Sequence, residues 1–358
     1  MLRRAFCQLL LVAIVIFSLL ALSGVLLAQG RSDQALERVI EVQEKHTQRL
    51  MGIPGVVGTA VGLDQDSRGV VKVFTARGGV AGIPGILDGV RVQPVVTGEF
   101  YALPKSESPP GKDKKPPKDE EPVDPTARFD RPVPIGVSTG HPDITAGTIG
   151  CRVTKGSNVY ALSNNHVYAN ENEASEGDIV LQPGHIDGGG EYPERDDAIG
   201  TLFDYEKIYF LTGRESEPTN TADAAIALSS TENLDNATPS DGYGTPKSTT
   251  TTARINQKVK KYGRSTGLTK GQVYALNATV DVGYDSGVAR FVGQIVITPG
   301  GFSAPGDSGS LVVVDGKGRD KADDRKPVGL LFAGSDLYTV ANPIDAVLGA
   351  FGVDIDGE

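Results

Sequence analysis

The amino-acid sequence predicts a predominantly β protein. Glycine makes up 45 of the 358 residues, nearly twice the usual share of about 7%, and this excess favours many tight turns. Between residues 135 and 338, short apolar runs alternate with Gly, Asn, Asp and Ser, and no long helical pattern interrupts them. A region of roughly 200 residues with this pattern predicts either a β-sandwich or a pair of β-barrels.

The first 29 residues have the features of an export signal. Arg3 and Arg4 precede an apolar run over residues 9–22, and small residues near Ala28 provide a cleavage site. The apolar stretch of about 20 residues is also long enough to cross a bilayer, so an uncleaved membrane anchor is the alternative. We therefore expect an exported protein that is secreted, periplasmic or anchored outside the cytoplasm.

Residues 32–102 predict a small α+β module. A helical pattern over Ser32–Met51 precedes two strand patterns, Val56–Leu63 and Val70–Thr75, and a further apolar stretch, Val90–Tyr101. About 70 residues are enough for a small domain. The module is interpreted either as a pro-region that blocks or helps to fold the rest of the chain, or as an interaction module through which the chain oligomerises.

Residues 103–134 are rich in Pro, Lys, Asp and Glu, which predicts a semi-extended linker before a second domain at 135–358. Short apolar runs in that domain predict strands at Val159–Ser163, Ile179–Leu181, Gln272–Ala275, Gly293–Thr298 and Ser310–Asp315. A helix closes the chain: Asn342 is its expected N-cap, Pro343 its first residue and Gly352 its end.

Composition excludes several classes of function. Cys7 lies in the leader and Cys151 stands alone after it, so neither an intrachain disulfide nor a zinc ribbon nor an iron–sulfur cluster fits the mature part. The net charge of −10 argues against nucleic acid or an anionic membrane as the main partner. We predict no cofactor and no metal site, because the acidic insertion at 168–222 lacks the regular ligand spacing of a calcium loop.

A Gly-rich turn at 301–310 carries the strongest chemical signal, Ser308. Gly306 has the conformational freedom that lets its own N–H and that of Ser308 point at one spot, where a developing oxyanion can be held. A serine hydroxyl needs a positioned base to become a nucleophile. The second Asp-Ser-Gly, at 285–287, shows that the tripeptide alone is not specific.

His166 is the candidate base because it ends an apolar strand pattern and its ordinary pKa lies near working pH. The other three histidines are less suited: His46 falls in the N-terminal helix, His141 in a His-Pro turn and His185 in a Gly-rich loop.

Asp223 leads directly into an apolar strand and is the candidate partner of the histidine ring. The pair Asp196-Asp197 is a rival of similar form, although two adjacent carboxylates are better suited to solvent.

The segments ALSNNHV (161–167), ADAAIAL (222–228) and PGDSGSL (305–311), in this order, resemble the chymotrypsin-like (trypsin-like) serine peptidases of the PA clan. Val167 stands where many animal members have cysteine, which points to the bacterial type. The resemblance implies two perpendicular six-stranded β-barrels with a C-terminal helix. It also implies that His166 is base and acid, that Asp223 orients it, that Ser308 attacks a peptide bond, and that the N–H groups of Gly306 and Ser308 hold the oxyanion.

The resemblance further implies a substrate pocket and a buried ion pair. Phe302 and Ser303 would lie at the base of the primary pocket, and the segment Phe332-Ala333-Gly334 would pair with substrate backbone. No Asp stands at 302, so we expect no preference for Lys or Arg but a shallow pocket for small or apolar side chains. Asp307 is expected to pair with Arg264 or, alternatively, Lys261.

These observations predict an exported serine endopeptidase that needs no cofactor. The alternative is a peptidase-fold scaffold or binding protein with little turnover, and an esterase with the same three residues is a weaker third interpretation.

Overall fold

The computed structural model describes residues 34–102, 123–190, 196–214 and 216–358. The predicted leader and the first part of the predicted linker lie outside these ranges. Within the described ranges, no helix is both long and apolar enough to span a bilayer.

The described chain is mostly β-structure, as the sequence predicts. The strands are β1 (Val56–Leu63), β2 (Gly69–Thr75), β3 (Ile86–Leu87), β4 (Val90–Val96), β5 (Phe100–Ala102), β6 (Ser138–Thr139), β7 (Gly147–Thr148), β8 (Cys151–Lys155), β9 (Asn158–Ser163), β10 (Ile179–Leu181), β11 (Ala198–Tyr205), β12 (Ala225–Ser229), β13 (Lys258–Gly263), β14 (Gly267–Tyr284), β15 (Gly287–Thr298), β16 (Leu311–Val314), β17 (Pro327–Gly334), β18 (Thr339–Pro343) and β19 (Asp354–Ile355). The α-helices are α1 (residues 34–51), α2 (Asn165–Tyr168) and α3 (Ile344–Phe351).

The first six-stranded sheet has the order β10-β11-β12-β9-β8-β19. Strands β9 and β12 are antiparallel neighbours, with Ser163 opposite Ala225. The last residue of β9 and the first residue of β12 therefore lie side by side. His166 follows β9 and Asp223 precedes β12. The strand register therefore brings these two residues together although they are distant in the sequence.

The second group of strands pairs in a ring. The order β13-β16-β17-β18-β15-β14 is completed by pairing of β14 with β13. The turn that carries Ser308 leads directly into β16, and the Gly309 N–H donates to Leu331 O on β17 (2.8 Å). Thr148, on β7, joins this turn to the first six-stranded sheet, because its N–H donates to Ser308 O (2.8 Å) and its carbonyl accepts from Ser163 Oγ on β9 (2.8 Å). Ser308 therefore lies between the two groups of strands.

The N-terminal module extends the second sheet rather than forming a sheet of its own. Strand β1 pairs with β14, with Gly58 opposite Val280, and β2, β4 and β3 continue outward. Together with β5, which pairs with β14 and β17, these strands give an eleven-stranded sheet. Helix α1 covers β1 and β2, with Val39, Val42 and Leu50 in their apolar core. The module is thus attached by continuous backbone pairing.

The predicted apolar stretch Val90–Tyr101 is divided between two strands. β4 pairs with β2 in the module, whereas β5 leaves it and lies between β14 and β17. A turn at Thr97 and Gly98 separates them, because Gly98 adopts a φ of +76° that permits a sharp change of direction.

The described end of the predicted linker, residues 123–134, is packed rather than free. Val133 is buried, and its N–H donates to Asn233 O (2.9 Å). Arg131 donates to Asn233 Oδ1 (2.8 Å) and to the carbonyl of Ala198 (2.6 Å). The folded unit therefore begins before residue 135, because one apolar side chain and one guanidinium anchor this segment.

The terminal helix is capped differently from the prediction. α3 begins at Ile344 after Pro343, and no side chain caps its first turn. Asn342 is fully buried, and its amide exchanges hydrogen bonds with the backbone of Asp223 instead. The helix ends, as predicted, at Gly352, whose φ is +61°.

Lys72 is buried where the module joins the second sheet. Its ammonium donates to Gln93 Oε1 (3.1 Å) and Tyr274 OH (3.2 Å) and lies 4.3 Å from the centre of the Tyr274 ring. Gly62 makes room for the lysine stem, since a Cβ at Gly62 would collide with it. Desolvation lowers the pKa of Lys72 to about 8, and Asp64 partly opposes this shift.

We expect Lys72→Met to raise the free energy of unfolding at pH 7 by about 1–3 kcal/mol, because the buried charge is removed. The lowered pKa favours the neutral amine in the folded state, so wild-type stability falls as pH decreases from about 10.5 to about 8 and then levels off. The gain should therefore shrink above pH 8. Urea unfolding of wild type and Lys72→Met at pH 7 and pH 10 measures this difference in the free energy of unfolding. Lys45→Met, at an exposed lysine, is the control. A Lys72→Met variant that is less stable than wild type at pH 7 would contradict the expectation.

Candidate active site

His166 and Asp223 form a tight buried pair. His166 Nδ1 lies 2.6 Å from Asp223 Oδ2, and the His166 N–H donates to Asp223 Oδ1 (3.3 Å). A carboxylate only accepts, so this contact puts the ring proton on Nδ1 and leaves Nε2 as an acceptor. Nε2 is buried and has no hydrogen-bond partner within the described part of the chain. The pair therefore presents an unused proton acceptor.

Two asparagines hold the backbone at Asp223: Asn164, which the sequence analysis did not single out, and Asn342, which it assigned to a helix cap. Asn164 Nδ2 donates to Asp223 O (2.7 Å), and Asn342 Nδ2 donates to the same oxygen (3.1 Å). The Asp223 N–H in turn donates to Asn342 Oδ1 (3.2 Å). The Asn pair before His166 in the sequence was the available signal, because buried amides of this kind usually satisfy a neighbouring backbone.

The turn before Ser308 leaves two N–H groups unused. Ser265 Oγ donates to Pro305 O (2.5 Å), Thr148 Oγ1 to Gly306 O (2.9 Å) and the Thr148 N–H to Ser308 O (2.8 Å). The carbonyls thus have partners, whereas the N–H groups of Gly306 and Ser308 have no acceptor among the residues described. Gly306 has a φ of +93°, a left-handed conformation that suits glycine. These N–H groups can stabilise an oxyanion.

Ser308 and His166 line the same cleft, whose volume is about 210 Å³. Ser308 Oγ donates to the carbonyl of Phe332 (3.4 Å) rather than to His166 Nε2. A long or absent contact of this kind is common in the absence of substrate. Ile144, Ala146 and Val167 supply apolar walls.

The predicted substrate-pocket residues divide into two groups: the aromatic residues Phe302 and Phe332, and the smaller residues Ser303, Ala333 and Gly334. The Phe302 ring packs in the core of the second sheet, and the Phe332 ring packs against that of Phe291 in a tilted arrangement with 4.7 Å between ring centres. Neither residue is among those that line the cleft of His166 and Ser308. Ser303 Oγ contacts Thr339 Oγ1 (2.6 Å).

Ala333 and Gly334 contribute backbone at the edge of β17. This edge is paired with β5 of the same chain, with Ala333 opposite Ala102 and Gly334 opposite Tyr101. Tyr101 and Ala102 also line the cleft that contains His166 and Ser308.

Asp307 pairs with Lys261 rather than with Arg264. Lys261 Nζ lies 3.1 Å from Asp307 Oδ2, and both side chains are fully buried. Desolvation lowers the pKa of Lys261, and the Asp307 carboxylate opposes this. Arg264 makes a bidentate contact with Asp187 at 2.6 Å instead. The prediction of an Asp307–Arg264 pair is therefore wrong, because a second buried carboxylate from the 168–222 insertion takes the guanidinium.

The rival residues have other partners. Asp197 forms an ion pair with Arg128. His46 Nε2 lies 3.0 Å from Asp88 Oδ2, and His141 Nε2 lies 3.3 Å from Asp178 Oδ2.

Within the residues described, no group of three or more His, Cys, Asp and Glu side chains is arranged to hold a metal ion. Cys151 is buried, and desolvation raises the pKa of its thiol.

Comparison with known proteins gives one family match and several structural similarities. Residues 247–340 match the Nal1 C-terminal domain, and no curated protein sequence matches the chain. Thermobifida fusca protease A is 18% identical with a TM-score of 0.44, covering 63% of this chain and 100% of its own. A glutamic acid-specific serine protease is 21% identical with a TM-score of 0.42 (62% and 100% covered), and Nocardiopsis protease is 18% identical with a TM-score of 0.43 (62% and 99% covered).

We expect Lys261→Met to lower the free energy of unfolding by about 3–5 kcal/mol, because it leaves the Asp307 carboxylate buried without its counter-ion. Lys270→Met removes an exposed lysine 3.5 Å from Asp315, and it should lower the free energy of unfolding by no more than about 1 kcal/mol. Denaturant unfolding of both variants provides the measurement, and equal costs would show that the buried pair does not stabilise the Ser308 turn.

Proposed function

We propose that this chain is a serine endopeptidase in which Ser308, His166 and Asp223 act together. One observation carries the proposal. The unpartnered Nε2 of His166 borders the same cleft as Ser308, next to a turn with two unused N–H groups. A base, a nucleophile and an oxyanion site are the groups that acyl transfer requires.

In the proposed reaction, His166 Nε2 takes the proton from Ser308 Oγ as Oγ attacks the substrate carbonyl carbon. The N–H groups of Gly306 and Ser308 hold the negative carbonyl oxygen. His166 then gives the proton to the leaving amine, and an acyl-enzyme remains on Ser308. Water, activated by the same ring, hydrolyses the ester. Asp223 keeps the ring in the Nδ1–H tautomer and stabilises the imidazolium.

A peptide is the favoured substrate because β17 already accepts an extended strand. β5 pairs with Ala333 and Gly334 in antiparallel register, and main-chain pairing of this kind recognises peptides rather than small esters. With no acidic side chain at 302, we keep the proposal of a site for small or apolar side chains. In this interpretation the two six-stranded groups correspond to the two barrels of a bacterial chymotrypsin-like peptidase.

Two further proposals follow from the sequence. The basic and apolar leader supports export, and acidic net charge supports a protein or peptide rather than nucleic acid as partner.

We also propose that the N-terminal module blocks the cleft. Of the two roles that the sequence leaves open, a pro-region and an interaction module, the position of β5 supports the first. Phe100 anchors β5, because its ring is buried 5.9 Å from that of Phe74 in the module. Tyr101 and Ala102 then occupy the edge that substrate backbone would use. The full chain is thus proposed to be a latent form.

A fluorophosphonate probe tests the catalytic proposal. We expect labelling of wild type and none of Ser308→Ala, and His166→Ala should reduce the labelling rate by about 10²-fold or more. Ser286→Ala, in the exposed second Asp-Ser-Gly, is the matched control and should label like wild type. Labelling is measured by intact-protein mass spectrometry.

A chain that stays unlabelled even when β5 is displaced would instead support the scaffold or binding-protein alternative.

Displacement of β5 tests the latent form. Phe100→Ala removes the buried anchor and should raise the labelling rate at least about tenfold, since such truncations typically cost several kcal/mol. Tyr101→Pro, at a half-exposed residue, should act similarly by interrupting strand pairing. Ile86→Ala, 67% exposed at the outer edge of the module, is the control. Rates equal to wild type in both β5 variants, together with a lowered unfolding temperature that shows β5 has lost its anchor in a chain that is still folded, would rule out a blocking role.

A further inference from the structure

Tyr284 ends β14 and reaches the buried carboxylate of the site. Its hydroxyl donates to Asp223 Oδ2 at 2.9 Å, and this is the oxygen that lies 2.6 Å from His166 Nδ1. We propose that Tyr284 is a positioning residue that holds the Asp223 carboxylate in line with His166. The proposal rests on the proposed function, because it gives that site a fourth member.

The ring of Tyr284 is fixed by aromatic packing on several sides. Phe210 meets it edge-on at 5.9 Å between ring centres, Phe291 lies at 6.1 Å, and the His166 ring is edge-on at 6.0 Å. A ring clamped in this way can place its hydroxyl with little remaining freedom.

The hairpin that carries Tyr284 is itself tied to the His166 side of the cleft. Tyr284 lies opposite Gly287 at the β14–β15 turn. Glu171, which follows α2, accepts from the backbone N–H groups of Asp285 (3.3 Å) and Ser286 (2.8 Å) in that turn. The same chain segment that supplies His166 thus anchors the loop beside Tyr284.

The chemistry explains why Asp223 needs this donor. Its side chain is fully buried, and a buried carboxylate remains ionised only when hydrogen bonds replace water. His166 supplies two of these bonds and Tyr284 supplies a third. The titratable groups that face Tyr284 are Asp223, His166 and, at the cleft, Glu171 and Asp285.

The hydroxyl stays protonated and therefore remains a donor. Burial, together with the Asp223 charge, raises the pKa of Tyr284 well above its ordinary value. The hydrogen bond also draws charge from the carboxylate, so its loss leaves more negative charge facing the histidine ring.

Tyr284→Phe tests the proposal because it removes one oxygen and keeps the ring packing. We expect the fluorophosphonate labelling rate at pH 7 to fall about tenfold, the effect of losing a hydrogen bond to a charged group. The acid limb of the pH–rate profile should move to higher pH, since the remaining carboxylate charge holds a proton on the ring more strongly. A purely structural role would leave that profile in place.

Tyr262→Phe is the matched control. It also removes a tyrosine–aspartate hydrogen bond, from Tyr262 OH to Asp241 Oδ1 (2.8 Å), but away from the cleft. It should label within about twofold of wild type, with an unchanged pH profile.

A second measurement keeps the outcomes separate. The proton between His166 Nδ1 and Asp223 is observed by NMR in full-length protein labelled with ¹⁵N-histidine, and its resonance should shift or broaden in Tyr284→Phe but not in Tyr262→Phe. If wild type labels at Ser308 while Tyr284→Phe matches it in rate and pH profile, the positioning role is wrong and the proposed function stands. If neither wild type nor the variants with β5 displaced ever label, the proposed function fails, and an unshifted resonance would then overturn the positioning role independently.

Discussion

Burial of the Asp223 charge is the constraint on which the rest of the site depends. A carboxylate without solvent must be surrounded by donors, and here they come from elements that are far apart in the sequence. Asn164 at the end of β9 and Asn342 in β18 hold its backbone, while His166 and Tyr284 bind its oxygens. Both halves of the fold must therefore be assembled before the carboxylate is satisfied, so the geometry of the site is coupled to completion of the fold.

The sequence predicts well those features that depend on local pattern. Most strands and the terminal helix follow apolar periodicity, and His166, Asp223 and Ser308 each stand beside a strand that the pattern identifies. The antiparallel register of β9 and β12 then brings His166 into contact with Asp223, although the two residues are 57 positions apart in the sequence.

What the sequence does not reveal is the choice between chemically equivalent partners. Lys261 and Arg264 are both cations on one segment, and only the position of Asp187, in a distant insertion, decides which of them reaches Asp307. Tyr284 belongs to a segment that looks like an unimportant turn, because its role arises from the length and bend of β14. Likewise, the direction of β5 depends on a turn at Gly98, which periodicity does not detect.

The long strand β14 has one further consequence. Along one side it is covered in succession by β13, by β1 and by β5. Removal of the N-terminal module would uncover backbone donors and acceptors from Ala275 to Gly283, and an open edge of this kind readily recruits a strand from another chain. Cleavage in the connecting segment would not by itself do this, since the pairing is not covalent. The step that exposes this side of β14, and so creates a surface on which molecules can assemble, would therefore be separation of the two cut pieces.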